Sequence, residues 1–157
     1  MSYTTYDNNL TVLFQISTGT SWDIAIHEVT GGKYVHTELL FPDGKQYGIQ
    51  LGQEVRFIDP SNSNYWQNNS KIWTQFPTKY ISNDTILNWC YGQIGTKYSF
   101  TNAISAGMNL PLLEPGYCCS QLIAITLSHA GATGIPLDPP PSGTRFRQGL
   151  YEWLLEH

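Results

Sequence analysis

Two residues of this chain have the types that thiol chemistry needs, and they lie far apart in the sequence. Cys119 follows Glu114-Pro115-Gly116-Tyr117-Cys118 and precedes an apolar pattern at Leu122, Ile123, Ile125, Leu127 and Ala130 that Gly131 stops. A Pro-Gly turn emptying into such a run predicts a helix whose first turn carries the thiol. The unpaired N–H groups and positive dipole end of a helix favour thiolate over thiol, which is how a cysteine nucleophile is commonly made. The plain alternative is a small buried cysteine at the start of a core helix.

The second residue is His36, in Tyr34-Val35-His36-Thr37-Glu38-Leu39-Leu40-Phe41. Side chains alternate along a strand, so His36, Glu38 and Leu40 share one face. A sheet packed on the Cys119 helix would let the imidazole act as general base to the thiol. A third group must then fix the imidazole tautomer. Glu38 is one candidate, on the same face at roughly 6–7 Å between Cβ atoms. Gln50, across a hairpin turned at Asp43-Gly44, is the other, and spacing does not choose between them. Against these roles stand a satisfied histidine on a half-buried strand and a solvated Glu38. Tyr98 and Tyr117 are candidates to line a cleft, and Trp66 and Trp73 to wall it, each against a simple core role. His27, His129 and His157 are assigned to solvent, to a helix end and to the terminus.

The elements that must position these groups follow from the pattern. Residues 11–16 form a β-favouring run, and residues 33–41 and 46–51 flank Pro42-Asp43-Gly44 as a hairpin. Residues 54–58 alternate polar and apolar as a further strand, and 72–76 form another that Pro77 is expected to stop. Helices are predicted from Ser21, from Ser82 or Asn83 as far as Ile94, over 100–108, after Cys119, and briefly around Phe146, Leu150, Trp153 and Leu154. A run of strands followed by helices implies α+β: one antiparallel sheet with helices packed on it. The 157 residues read as one domain, with a core over about 11–131 and a Pro-rich connector and short helix over 135–157.

Composition narrows the functional classes. Aromatics at 13% and charged residues at 13% fit an ordered fold rather than a disordered chain. A net charge of −4 without a basic cluster leaves no electrostatic footprint for nucleic acid. No run of about 18 apolar residues predicts a membrane span, and Met1-Ser2-Tyr3-Thr4-Thr5 does not read as a signal peptide. Cys90, Cys118 and Cys119 show no paired spacing, so a reduced compartment is expected and a disulfide framework is not. Without a Cys-x-x-Cys or His-x-x-x-His pair, neither a metal nor another cofactor is expected. Oligomeric state is not legible.

Three stretches carry a resemblance. Thr30-Gly31-Gly32-Lys33-Tyr34-Val35-His36-Thr37-Glu38-Leu39, followed by Asp43-Gly44, resembles the His motif of the circularly permuted papain-like hydrolases, YiiX-like relatives of the NlpC-type cell-wall peptidases that include phage-encoded members. Tyr117-Cys118-Cys119-Ser120-Gln121-Leu122 resembles their Cys motif, aromatic-x-Cys-Ser-Glu-Leu, with Cys119 at the nucleophile position. Gly95-Thr96-Lys97-Tyr98 resembles a Gly-x-x-Tyr step before the nucleophile. The order, His before Cys, is the permuted one, and the resemblance runs from about residue 12 to 130. Two departures are Gln121, which cannot ionise where a Glu is usual, and the doubled cysteine. Cys118 is read as packing, and a vicinal disulfide with Cys119 would be strained and would silence the thiol.

The resemblance implies a papain-like fold and a thiol hydrolase that cuts an amide bond, most plausibly in peptidoglycan peptides, through an acyl-thioester. A chain made without a signal peptide would then reach the wall through lysis, a secretion machine or a virion. Lipid or protein acyl hydrolysis or transfer is a second reading, as in permuted enzymes resembling lecithin:retinol acyltransferase. Those often carry a further His and a membrane anchor, whereas no His lies between His36 and His129 here. A non-catalytic phage or structural module that keeps the fold is the third.

Overall fold

A computed structural model of the chain describes residues 8–16, 34–50, 52–59, 73–98, 119–135, 150 and 153–157. Five strands and two helices lie within them: β1 (Asn9–Ile16), β2 (Tyr34–Leu40), β3 (Gln46–Gly48), β4 (Arg56–Ile58), β5 (Trp73–Ile81), α1 (Asp84–Gln93) and α2 (Cys119–His129). The expected helices from Ser21 and over 100–108 fall outside the described residues, as do Tyr117, Cys118, His27 and Trp66.

The architecture is α+β. The strands form one antiparallel sheet in the order β4-β3-β2-β1-β5. β1 lies inside the sheet, between β2 and β5, and buries apolar side chains on both faces. Leu10, Val12 and Phe14 project into a core shared with Leu39, Phe41 and Tyr47 and with Leu122, Ile123 and Leu127 of α2. Leu13 projects the other way, against Leu40, Ile58 and Trp73. A strand buried on both sides reads as a near-continuous apolar run rather than an alternation. Each such side chain contributes roughly 1.5–3 kcal/mol when fully buried.

The hairpin joining β2 and β3 turns where Pro42-Asp43-Gly44 says it must. Gly44 takes φ 92°, the Gly44 N–H bonds to the Phe41 carbonyl at 2.9 Å, and Asp43 Oδ1 accepts the Lys45 N–H at 3.0 Å. Two expected strands are shorter than their sequence pattern. β3 ends at Gly48 rather than at 51, and β4 begins at Arg56, because Glu54 instead bridges to Lys97.

One expectation is overturned. Pro77 does not stop β5, which runs on to Ile81. Among the described strands β5 lies at the edge of the sheet and pairs with β1 alone, so a residue without an N–H is tolerated there. The register shifts beside it, between Asn9 and Thr11. Thr78 then re-ties the strand, its hydroxyl donating to the Leu10 carbonyl at 2.9 Å and its own carbonyl accepting from Asn9 Nδ2 at 3.0 Å.

Asn83, not Ser82, caps α1, its Oδ1 accepting the Ile86 N–H at 3.0 Å. Gly95, at φ 92°, follows the helix end. α2 ends in a left-handed Gly131, φ 106°, with Ala132 N–H on the Leu127 carbonyl and Gly131 N–H on the Ser128 carbonyl. These two bonds satisfy carbonyls that a helix end leaves open. Near the C-terminus a helical turn at 153–156 buries Leu154, with Leu150, in the main core. No described helix is long and apolar enough to cross a membrane.

Candidate active site

α2 opens on Cys119. The thiol is buried, at 2% exposure, and carries no disulfide. No acidic side chain lies in the first turn to oppose a thiolate there. Leu122, Ile123, Ala124 and Leu127 bury the helix behind it and hold its first turn in place.

β2 supplies the partner. His36 lies opposite Gln15, where the register of the β1–β2 pairing shifts between Gln15 and Ile16. A break in regular pairing re-aims side chains. The Cys119 side chain lies within hydrogen-bonding reach of the imidazole. On its other edge the ring meets Glu38, with Nε2 3.0 Å from Glu38 Oε2. Trp73 of β5 stands beside the ring, centroids 6.0 Å apart and tilted at 59°.

Glu38 is completely buried, and its carboxylate is gripped from two further strands. Arg56 of β4 reaches it with both terminal nitrogens, Nη2 to Oε1 at 2.8 Å and Nη1 to Oε2 at 3.0 Å. Gln46 of β3 donates Nε2–H to Oε1 at 2.5 Å. Gly48 leaves room for this packing, because a Cβ there would collide with the carboxylate.

The electrostatics follow from these contacts. Burial alone would pull the His36 imidazole down. The charge on Cys119, then that on Glu38, and the hydrogen bond each makes, push it up instead to about 9. Burial alone would raise Glu38, but Arg56 first and His36 second bring it down to about 2. An imidazolium between two anionic partners is the charge state that keeps a thiolate beside it. Cys90 contrasts with this, since burial in an apolar site pushes its thiol up to about 12. That thiol belongs to the main core.

The expected site residues therefore separate. His36, Glu38 and Cys119 come together. Gln50 does not orient the ring: its side chain is exposed, two residues beyond the end of β3. Its carbonyl accepts the Gln53 N–H in a turn. Tyr98 packs on the core and lines an open groove with Gly52, Gln53, Glu54 and Lys97. Tyr117 lies outside the described residues. Gln121 is buried on α2, and His129 stacks on Trp89 at 4.4 Å in the last turn of α2.

Three residues of the cluster escaped the sequence reading: Arg56, Gln46 and Gly48. Each left a signal. Arg56 is the lone cation in an otherwise apolar stretch, Val55-Arg56-Phe57-Ile58, and Gln46 is fixed opposite Leu40 by the hairpin count. Gly48 is a glycine inside a strand, a sign of close approach. Among the described residues no group of three His, Cys, Asp or Glu side chains is arranged to hold a metal ion. Compared with protein-family models, with curated proteins and with solved structures, the chain finds no match.

Proposed function

We propose that this chain is a thiol hydrolase of the permuted papain-like type, with Cys119 as nucleophile, His36 as general base and acid, and Glu38 as the group that orients His36. The observation that carries the reading is the His36 imidazole held between the Cys119 side chain and the Glu38 carboxylate. Nε2 is engaged by Glu38, which leaves Nδ1 as the nitrogen for the thiol. His36 takes the Cys119 proton, and the thiolate attacks a carbonyl carbon. The negative oxygen formed is received by the Cys119 backbone N–H at the open end of α2. The imidazolium then protonates the leaving amine as the C–N bond breaks and a thioester remains. Water, giving its proton to His36, attacks the thioester, and the carboxylic acid departs as the thiolate re-forms.

The substrate class comes from the motif resemblance around His36, Tyr98 and Cys119 and is an amide in peptidoglycan peptides. The test has two arms. Iodoacetamide titration between pH 5 and 9, with adducts mapped by mass spectrometry, should label Cys119 selectively below pH 7, and His36→Ala should abolish that selectivity. Peptidoglycan fragments incubated with the protein should release new amino termini, and Cys119→Ser should release none. Equal, slow labelling of Cys119 and the buried Cys90, unaffected by His36→Ala, would sink the proposal.

A further inference from the structure

The Glu38 carboxylate can be accounted for lone pair by lone pair. Oε1 accepts from Gln46 Nε2 and from Arg56 Nη2; Oε2 accepts from Arg56 Nη1 and faces His36 Nε2. A carboxylate offers about four acceptor sites, and four nitrogens occupy them. Arginine and the amide nitrogen of glutamine can only donate. A proton on Oε1 would point at an N–H group; one on Oε2 could lie only towards His36 Nε2, and the Arg56 guanidinium on that same oxygen disfavours it, so Glu38 is held as the anion. It follows that His36 Nε2 must carry its hydrogen, and Nδ1 is the nitrogen able to exchange a proton with Cys119.

We propose that Arg56, assisted by Gln46, is a positioning residue that fixes the charge and orientation of Glu38 and so sets the alkaline limit of the Cys119–His36 pair. This rests on the thiol reading of the site. The geometry explains why the cation is arginine. Its fork engages both carboxylate oxygens at once, which a lysine ammonium cannot do with the same fixed plane. The position explains why the effect is indirect. Arg56 lies on β4, the sheet edge remote from β1, and is separated from His36 by Glu38. The groups facing the imidazole among the described residues are Cys119 from α2, Glu38 from β2 and the uncharged Trp73 from β5. Without the guanidinium, a fully buried Glu38 is driven towards its neutral acid. It then ceases to accept from Nε2–H, and the imidazolium loses the counter-charge on that side.

The test is NMR titration of the protein labelled with 15N-histidine, following the His36 ring nitrogens. In the parent, His36 should titrate well above an ordinary histidine, with hydrogen retained on Nε2 after deprotonation. Cys119→Ser should lower that titration. Arg56→Met should lower it too, by roughly one to three pH units, and should scramble the tautomer. Arg56→Lys keeps the charge without the fork and should shift His36 part of the way, which carries the test if the methionine variant does not fold. In a Glu38→Gln background, Arg56→Met should add nothing further. An unmoved or raised His36 titration in folded Arg56→Met, an unshifted one in Arg56→Lys, or full additivity with Glu38→Gln would overturn the proposal. If the parent His36 ignores Cys119→Ser, the thiol reading itself has failed.

Discussion

A Cβ placed on Gly48 would stand 2.6 Å from Cδ of Glu38, inside the space the carboxylate occupies. The β2–β3 register, Leu39 on Tyr47 and Leu40 on Gln46, brings these two positions side by side. The buried anion thus depends on a missing side chain in the neighbouring strand. Arg56 Nη1 would also lie only 3.1 Å from the added atom, so neither partner can retreat without breaking an ion pair.

Gly48→Ala is therefore expected to cost roughly 1–3 kcal/mol, the usual penalty of overpacking. It should also slow Cys119 alkylation at pH 6 by displacing Glu38 from His36. Urea denaturation and the alkylation rate check the two effects together. Unchanged values of both would mean that the strands relax without disturbing the carboxylate.

Much of the arrangement was legible in the chain, for identifiable reasons. Period-two alternation places His36 with Glu38, and the Asp43-Gly44 turn pairs β2 with β3. The apolar run after Cys119 predicts α2, and Gly131 predicts its end. The choice between Glu38 and Gln50 was not legible, because strand spacing says which residues are near each other but not where a hairpin stops pairing. β3 stops at Gly48, and Gln50 turns to solvent. The role of Arg56 is not legible because its partner lies two strands away, a separation that no local pattern encodes. The effect of Pro77 is not legible either, because it depends on whether its strand lies at an edge, which only the assembled sheet decides.

Glu38→Gln tests the orienting group without changing its size. The amide presents donors to Arg56 and leaves the half-buried guanidinium beside a neutral partner. Breaking a pair with one half-buried partner in this way costs less than the roughly 3–5 kcal/mol of a fully buried one. His36 loses its counter-charge, and each unit by which the thiol's effective pKa rises lowers the thiolate fraction about tenfold below that pKa. Alkylation of Cys119 at pH 6 should fall at least that far in protein that remains folded. A rate within twofold of the parent would remove Glu38 from the mechanism.

Asn83→Ala provides the matching control. It deletes the Asn83 Oδ1 acceptor from the first turn of α1 and should cost about 1 kcal/mol. The cap lies on an element that does not contribute to the His36–Glu38–Arg56 cluster. Thermal denaturation should record the loss, while Cys119 alkylation at pH 6 should match the parent. A parallel loss of thiol reactivity would show that reactivity follows general stability, and the effects of Gly48→Ala and Glu38→Gln would have to be reread in that light.

The cluster should also shape stability against pH, and the two signs differ. Glu38 is depressed from 4.5 to about 2 in the fold, so its contribution is complete above about 4.5 and is lost as pH falls towards 2. His36 is raised from 6.5 to about 9, so its contribution is complete below about 6.5 and is lost as pH rises through 9. Where His36 holds the proton that Cys119 gives up, the pair binds one proton in the folded and the unfolded chain alike above 6.5, so the cluster contributes most from about 4.5 up to about 9. Urea denaturation at successive pH values should show a plateau there and a decline on both sides. Cys119→Ser removes that compensation, so the alkaline decline should begin at lower pH, from about 6.5, while the acid decline stays in place. A protein that grows more stable from pH 6.5 to 9, or a serine variant with the parent's alkaline onset, would show that His36 is not held as an imidazolium between Cys119 and Glu38.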